Sequence, residues 1–97
     1  MKTIDEKEFN DLISNGTTVV QFSASWCGPC KTLTKTIENN KDSFNNPIYK
    51  IDIDDNSQLA TALGIKSVPT IIRFENKEEK TRLVGAQGVE KLAELTI

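Results

Sequence analysis

Ninety-seven residues with 37% hydrophobic content are enough for one small domain, spanning residues 1–97, with one core and no length left for a second. Twelve basic against fourteen acidic residues leave a net charge of -2 and no basic cluster, so neither a nucleic-acid nor an anionic-membrane surface is implied; proteins or small thiols are the expected partners. Met1-Lys2-Thr3-Ile4-Asp5-Glu6 lacks the apolar run of a signal peptide, and no stretch approaches the roughly 18 apolar residues of a membrane span, so a cytoplasmic protein is expected.

Residues 1–4 read as a short strand. Asp5 is a helix cap with Glu8 three residues on, a capping-box pattern that feeds Phe9, Leu12 and Ile13 into a first helix ending near Asn15-Gly16. Residues 18–22, β-branched and apolar, predict a buried parallel strand. Trp26-Cys27-Gly28-Pro29-Cys30 stands where that strand gives way to a helix carrying Leu33 and Ile37, which decays through Glu38-Asn39-Asn40. Asn45-Asn46-Pro47 marks a loop, and residues 48–53 read as another buried strand. Asp54, Asp55 or Asn56 caps a short helix with Leu59 and Leu63 on one face, ended by Gly64. Beyond Pro69, residues 70–74 and 80–84 pair as a hairpin across a polar turn, and Gly88 opens a last helix bearing Val89, Leu92 and Leu95. Strands alternating with helices, then a hairpin and a helix, describe an α/β fold with a mixed sheet covered on both faces.

The chain's only two cysteines lie three residues apart at the strand-to-helix junction. Unpaired amides and the positive end of the helix dipole favour thiolate there, which makes Cys27 the candidate nucleophile. Cys30, one turn along, is expected to be more buried and within reach of a mixed disulfide at Cys27, which makes it the candidate resolving thiol. Pro29 suits a first helical turn, where an amide hydrogen has no partner, and Gly28 leaves room for an approaching backbone. In a reducing compartment a lone pair this close is catalytic rather than structural. Its plain alternative is two buried small hydrophobes. Two cysteines and no histidine fall short of a zinc ligand set, so no metal is expected.

These residues resemble the thioredoxin family along nearly the whole chain. Beside Trp26-Cys27-Gly28-Pro29-Cys30-Lys31, the resemblance rests on Lys50-Ile51-Asp52-Ile53-Asp54, Val68-Pro69-Thr70 and Val84-Gly85-Ala86, in the family's order and approximate spacing. It implies a thioredoxin fold with a five-stranded mixed sheet flanked by four helices, and a cis bond before Pro69 facing the cysteines. It also implies a shallow apolar target surface built from Trp26, Gly28, Pro29, Ile53, Val68, Pro69, Val84, Gly85 and Ala86, with the Val68 backbone pairing with the target. The implied function is protein disulfide reduction through a Cys27–Cys30 redox disulfide. Its implied partners are disulfide-containing proteins and a flavin-containing thioredoxin reductase that passes electrons from NADPH. No cofactor is expected on the chain itself, and a monomer is expected.

Four positions depart from the family pattern. Gln21 stands where thioredoxins carry a buried aspartate that helps take the proton from the resolving thiol; glutamine hydrogen-bonds but does not ionise. Lys50, the family's partner of that aspartate, is left without its anion unless Asp52 reaches it. It reads either as a tuning group or as a lysine whose stem packs while its ammonium reaches the sheet edge. Arg73 carries the same ambiguity. Ser23 replaces an aromatic expected behind Trp26, and Lys35 replaces a helix-kinking proline. Lys77 replaces the glycine of the hairpin turn, which predicts a different turn type.

Trp26 reads as a target-facing rim more readily than as core. The Gly-Pro pair between the cysteines speaks against an oxidant, isomerase or glutathione-dependent relative. The reading from another class is a non-catalytic binding module or accessory subunit, favoured only by the missing acid.

Overall fold

The computed structural model describes all 97 residues. Its central sheet has four strands, β1 (Thr17–Ser23), β2 (Ile48–Asp52), β3 (Thr70–Glu75) and β4 (Glu78–Val84), in the order β2-β1-β3-β4. β1 runs parallel to β2 and antiparallel to β3, and β3 and β4 form the hairpin. Four helices flank the sheet: α1 (Glu6–Leu12), α2 (Gly28–Asn39), α3 (Ser57–Ala62) and α4 (Val89–Leu95).

The implied fifth strand is reduced to a single parallel bridge. Thr3 pairs with Lys50 on the outer edge of β2, with Ile4 N–H donating to Lys50 O at 2.8 Å and Lys50 N–H to Lys2 O at 3.0 Å. The strand stops there because the next residue begins a helix. Asp5 Oδ1 accepts the Glu8 N–H and Glu8 Oε1 accepts the Asp5 N–H, closing the capping box expected from sequence.

Because side chains alternate along a strand, β1 feeds two cores. Val20 and Phe22 point to the layer with Phe9 of α1 and Leu59 of α3, where Phe9 meets Phe22 and Phe74 edge-on at 6.3 and 5.1 Å between ring centroids. Val19 points to the opposite layer, against Leu33 and Ile37 of α2 and Leu92 and Leu95 of α4. Gln21 shares that second face and is fully buried. α2 is unbroken over 12 residues, as expected with Lys35 in place of proline.

The β3–β4 hairpin satisfies the carbonyl ends of three helices, groups that no helix can satisfy for itself. Lys77 N–H donates to Ile13 O at the end of α1, at 2.7 Å. Arg82 Nη2 donates to Leu63 O at the end of α3, at 2.6 Å, and its pairing with Glu79 holds that carboxyl below its usual range. Arg73 Nη1 donates to Leu95 O at the end of α4, at 2.8 Å, and to Ile97 O, while Glu75 braces its guanidinium. Arg73 is thus a structural cap, which resolves the ambiguity it carried in the sequence.

The hairpin turn corrects another expectation. Glu75 pairs with Glu78 across a two-residue loop, and both Asn76 (φ 47°) and Lys77 (φ 75°) are left-handed. That is the type I′ signature a glycine would also have given, so the turn type is unchanged and Lys77 carries the strain instead. Two bonds between Asn76 and Gly16, at 2.8 and 3.0 Å, hold it there. Lys77→Gly relieves the left-handed cost and is expected to stabilise the fold by about 1 kcal/mol, a rise of about 4–8 °C in Tm by calorimetry.

Candidate redox site

The site begins where β1 ends. Three residues after Ser23, the chain turns through Ala24-Ser25-Trp26, and Cys27 N–H closes the turn on Ala24 O at 3.1 Å. Cys27 is the N-cap of α2, with extended backbone (φ -93°, ψ 108°), and its sulfur takes the role an oxygen plays at most N-caps by accepting the Cys30 N–H at 3.1 Å. Gly28 and Pro29 fill the first turn. Cys27 and Cys30 form a disulfide with their Cα atoms 5.3 Å apart.

The two sulfurs are not equally placed. Cys27 retains 5% exposure and Cys30 none, which is the order expected for an attacking and a resolving thiol. Facing Cys27 is the Val68-Pro69 peptide, which is cis, with Val68 O 3.8 Å from Cys27 Sγ. A disulfide sulfur has no hydrogen to donate, so this is a packing contact. Gly85 N–H donates to Pro69 O at 2.8 Å, which draws the end of β4 against the cis-proline loop.

Around the disulfide the residues expected to meet a target fall into one patch. Trp26 (68% exposed) and Val84 (57%) are the large apolar groups open to solvent. Ile53 and Val68 pack half-buried on the cluster of Ala24, Cys27 and Cys30. Gly28, Pro29 and Ala86 are exposed, Gly85 is half-buried with φ 89°, and Pro69 is buried beneath the rim. A Cβ at Gly28 would meet nothing within 4 Å, so only an incoming molecule would feel one. None of the three cavities in the fold is lined by either cysteine, and the patch is an open surface.

The site-tuning candidates occupy the floor. Gln21 and Lys50 are register partners on β1 and β2 and face the α2 layer together. Lys50 is half-buried and lines a cleft of about 680 Å³ beside α2, which Ser23 also lines. Asp52 does not reach it: Asp52 Oδ1 is occupied by the amides of Asp54 and Asp55 at 2.8 and 3.3 Å, and Lys50 pairs with no carboxylate. Gln21 is satisfied at both ends of its amide, by Cys30 O and by the Thr34 hydroxyl.

Two residues at this site were not singled out from sequence. Asp54 Oδ2 accepts the Trp26 indole N–H at 2.9 Å, supplying from the β2–α3 loop the restraint that Ser23 does not. Thr34 contacts Gln21 from α2; its spacing of four from Cys30, which puts both on one helical face, is the signal that could have found it. Asp54→Ala is expected to raise acrylamide quenching of Trp26 fluorescence while leaving global stability within about 0.5 kcal/mol, because the bond it removes is exposed.

The comparisons with known proteins agree with this geometry. The family model for thioredoxin matches residues 1–96. The thioredoxin of Chlamydia pneumoniae is 38% identical over 96 residues, covering 98% of this chain and 94% of the relative. Among solved structures, a variant thioredoxin from Halobacterium salinarum superposes with a TM-score of 0.87 at 33% identity, covering 98% of this chain and 86% of its own. Plasmodium falciparum thioredoxin does so with a TM-score of 0.85 at 31% identity, covering 97% of each chain. With its vicinal disulfide pair at the head of α2, this chain belongs to the thioredoxin family and is a dithiol–disulfide oxidoreductase.

Proposed function

We propose that the protein works as a protein disulfide reductase with Cys27 as nucleophile and Cys30 as resolving thiol. The observation that carries this reading is the N-cap geometry: a sulfur that accepts the Cys30 N–H of the first helical turn, at the one point where the pair meets solvent. In the reduced protein the Cys27 thiolate, stabilised by the Cys30 N–H and the helix dipole, attacks one sulfur of a target disulfide. A Cys27–target disulfide forms and the target's other sulfur leaves as a thiolate. Cys30 then loses its proton and attacks Cys27 Sγ, expelling the second target thiolate and closing the Cys27–Cys30 disulfide. Two electrons have passed to the target. Solvent takes the Cys30 proton, since Gln21 has no basic form at neutral pH.

The rim of Trp26, Gly28, Pro29, Ile53, Val68, Pro69, Val84, Gly85 and Ala86 receives the target as extended backbone, with the Val68 main chain as its pairing edge. Re-reduction draws two electrons from NADPH through a flavin-containing thioredoxin reductase, so the chain holds no nicotinamide or flavin. The working form is a monomer in the cytoplasm, where a reducing pool keeps the pair as dithiol between turnovers. Family membership and the exposed apolar rim support this reading.

Cys27→Ser is expected to abolish turnover of a model protein disulfide, and Cys30→Ser to abolish turnover while trapping target on Cys27, seen as a covalent adduct under non-reducing electrophoresis. Normal turnover in both variants would reject the assignment, and undiminished target binding by the double serine variant would favour a binding module. Gln21→Asp is expected to accelerate release of the mixed disulfide near neutral pH in stopped-flow; unchanged kinetics from about pH 6 to about pH 9 would show that the missing acid does not limit resolution.

A further inference from the structure

The cleft of about 680 Å³ beside α2 has no part in the exchange reaction, since neither cysteine lines it. Ser23 lies at its floor, turned to the α2 side by the same alternation that places Val19 and Gln21 there. Ser23 is only 7% exposed, yet its hydroxyl pairs with no group of the protein. No side-chain oxygen or nitrogen in the fold is both sealed from solvent and unpaired, so this hydroxyl opens into the cleft that it lines. It is a fixed donor and acceptor for whatever enters.

Around it stand three lysines that belong to none of the ion pairs of the fold: Lys31 and Lys35, one turn apart on α2, and Lys50 across from them on β2. The acids of the same lining are mostly engaged. Glu38 meets the Met1 ammonium at 3.2 Å, and Asp52 Oδ1 accepts the amides of Asp54 and Asp55, which leaves Asp55 at the exposed rim. The cleft of about 440 Å³ beside α4 is different: there Arg73 is committed to Leu95 O and Ile97 O, and Lys91 pairs with Glu94 at 3.8 Å. Unpaired cations around a buried, unpaired hydroxyl occur in the α2 cleft alone among the three cavities.

We propose that this cleft binds a phosphate group, held by the Ser23 hydroxyl and the ammonium groups of Lys31, Lys35 and Lys50. An ammonium binds phosphate as a point charge, and no arginine is present to offer the planar fork that suits a carboxylate. Phosphate oxygens point in several directions, so one meets the floor hydroxyl while others meet lysines from the two walls. The volume is that of a small-molecule site and exceeds what the group alone requires, and Ala24 is the only apolar residue of the lining, so a phosphate ester with a polar remainder fits best. Two departures from the family pattern make the site: an aromatic at residue 23 would fill the floor, and an acid at residue 21 would claim the Lys50 ammonium. The inference stands apart from the assignment of attacking and resolving thiols.

The test is isothermal titration of the oxidised protein with inorganic phosphate and with adenosine monophosphate, at constant ionic strength in chloride so that general screening is held fixed. Saturable one-site binding with a Kd of about 1 mM or below is expected for at least one probe, and the tighter of the two identifies the source as free ion or ester. Lys50→Gln is expected to weaken binding about tenfold and Ser23→Ala about fivefold, while Lys91→Gln, in the other cleft, leaves it unchanged. Because the Ser23 hydroxyl has no partner inside the protein, Ser23→Ala is also expected to keep the wild-type Tm without phosphate, which loss of a structural hydroxyl would lower. Lys35→Gln, on the exposed side of α2, replaces Lys50→Gln if that variant fails to fold. Absence of saturable binding by both probes, full affinity in Ser23→Ala and Lys50→Gln, an equal loss in Lys91→Gln, or a lowered Tm in Ser23→Ala would each overturn the proposal.

Discussion

The hydrogen bond from Cys30 N–H to Cys27 Sγ is the interaction around which the molecule is arranged. It requires a strand to end and a helix to begin within a few residues, which only a chain with a buried β1 and an apolar α2 face supplies. Val19 and Phe22 anchor the strand in opposite layers, and Leu33 and Ile37 anchor the helix. With both anchored, the sulfur of residue 27 caps the head of α2 at the point where the cysteine pair meets solvent. The cis-proline loop and the end of β4 then close around it, tied by the bond from Gly85 to Pro69.

The floor of the site is built from side chains that depart from the pattern the family resemblance implies. In place of the acid that the family resemblance implies, Gln21 is a neutral amide spanning the Cys30 carbonyl and the Thr34 hydroxyl. Where an aromatic would back the tryptophan, Ser23 leaves space, and the indole is instead tethered to Asp54. Lys50 keeps its place on β2 but not its anion, since Asp52 is committed to the amides of the loop that follows. Gln21 and Trp26 are each held by a hydrogen bond from another element, and Lys50 is left without a partner.

What could be read from the sequence was local or periodic. The capping box at Asp5 and Glu8, the helix opened by Cys27 and the hairpin after Pro69 all depend on neighbours within a few residues, and all are present. The expected first strand shrank to one bridge because Asp5 starts a helix before a second pair can form. The turn at Lys77 was misread because composition shows which residue is strained but not the tertiary bonds that hold it in strain. The roles of Arg73 and Asp54 stayed hidden for a common reason: their partners lie 22 and 28 residues away, and no spacing rule joins them, whereas Thr34 shares a helical face with Cys30 and could have been found.

The hairpin has a practical consequence for anyone modifying this protein. Exposed hairpin tips are usual places to insert an epitope, graft a peptide or open a chain for permutation. Here the tip at Asn76 and Lys77 is bonded to residues 13 and 16, and the strands on either side carry the caps of α3 and α4. An insertion at that tip would loosen three helix ends at once, so fusions and labels belong elsewhere.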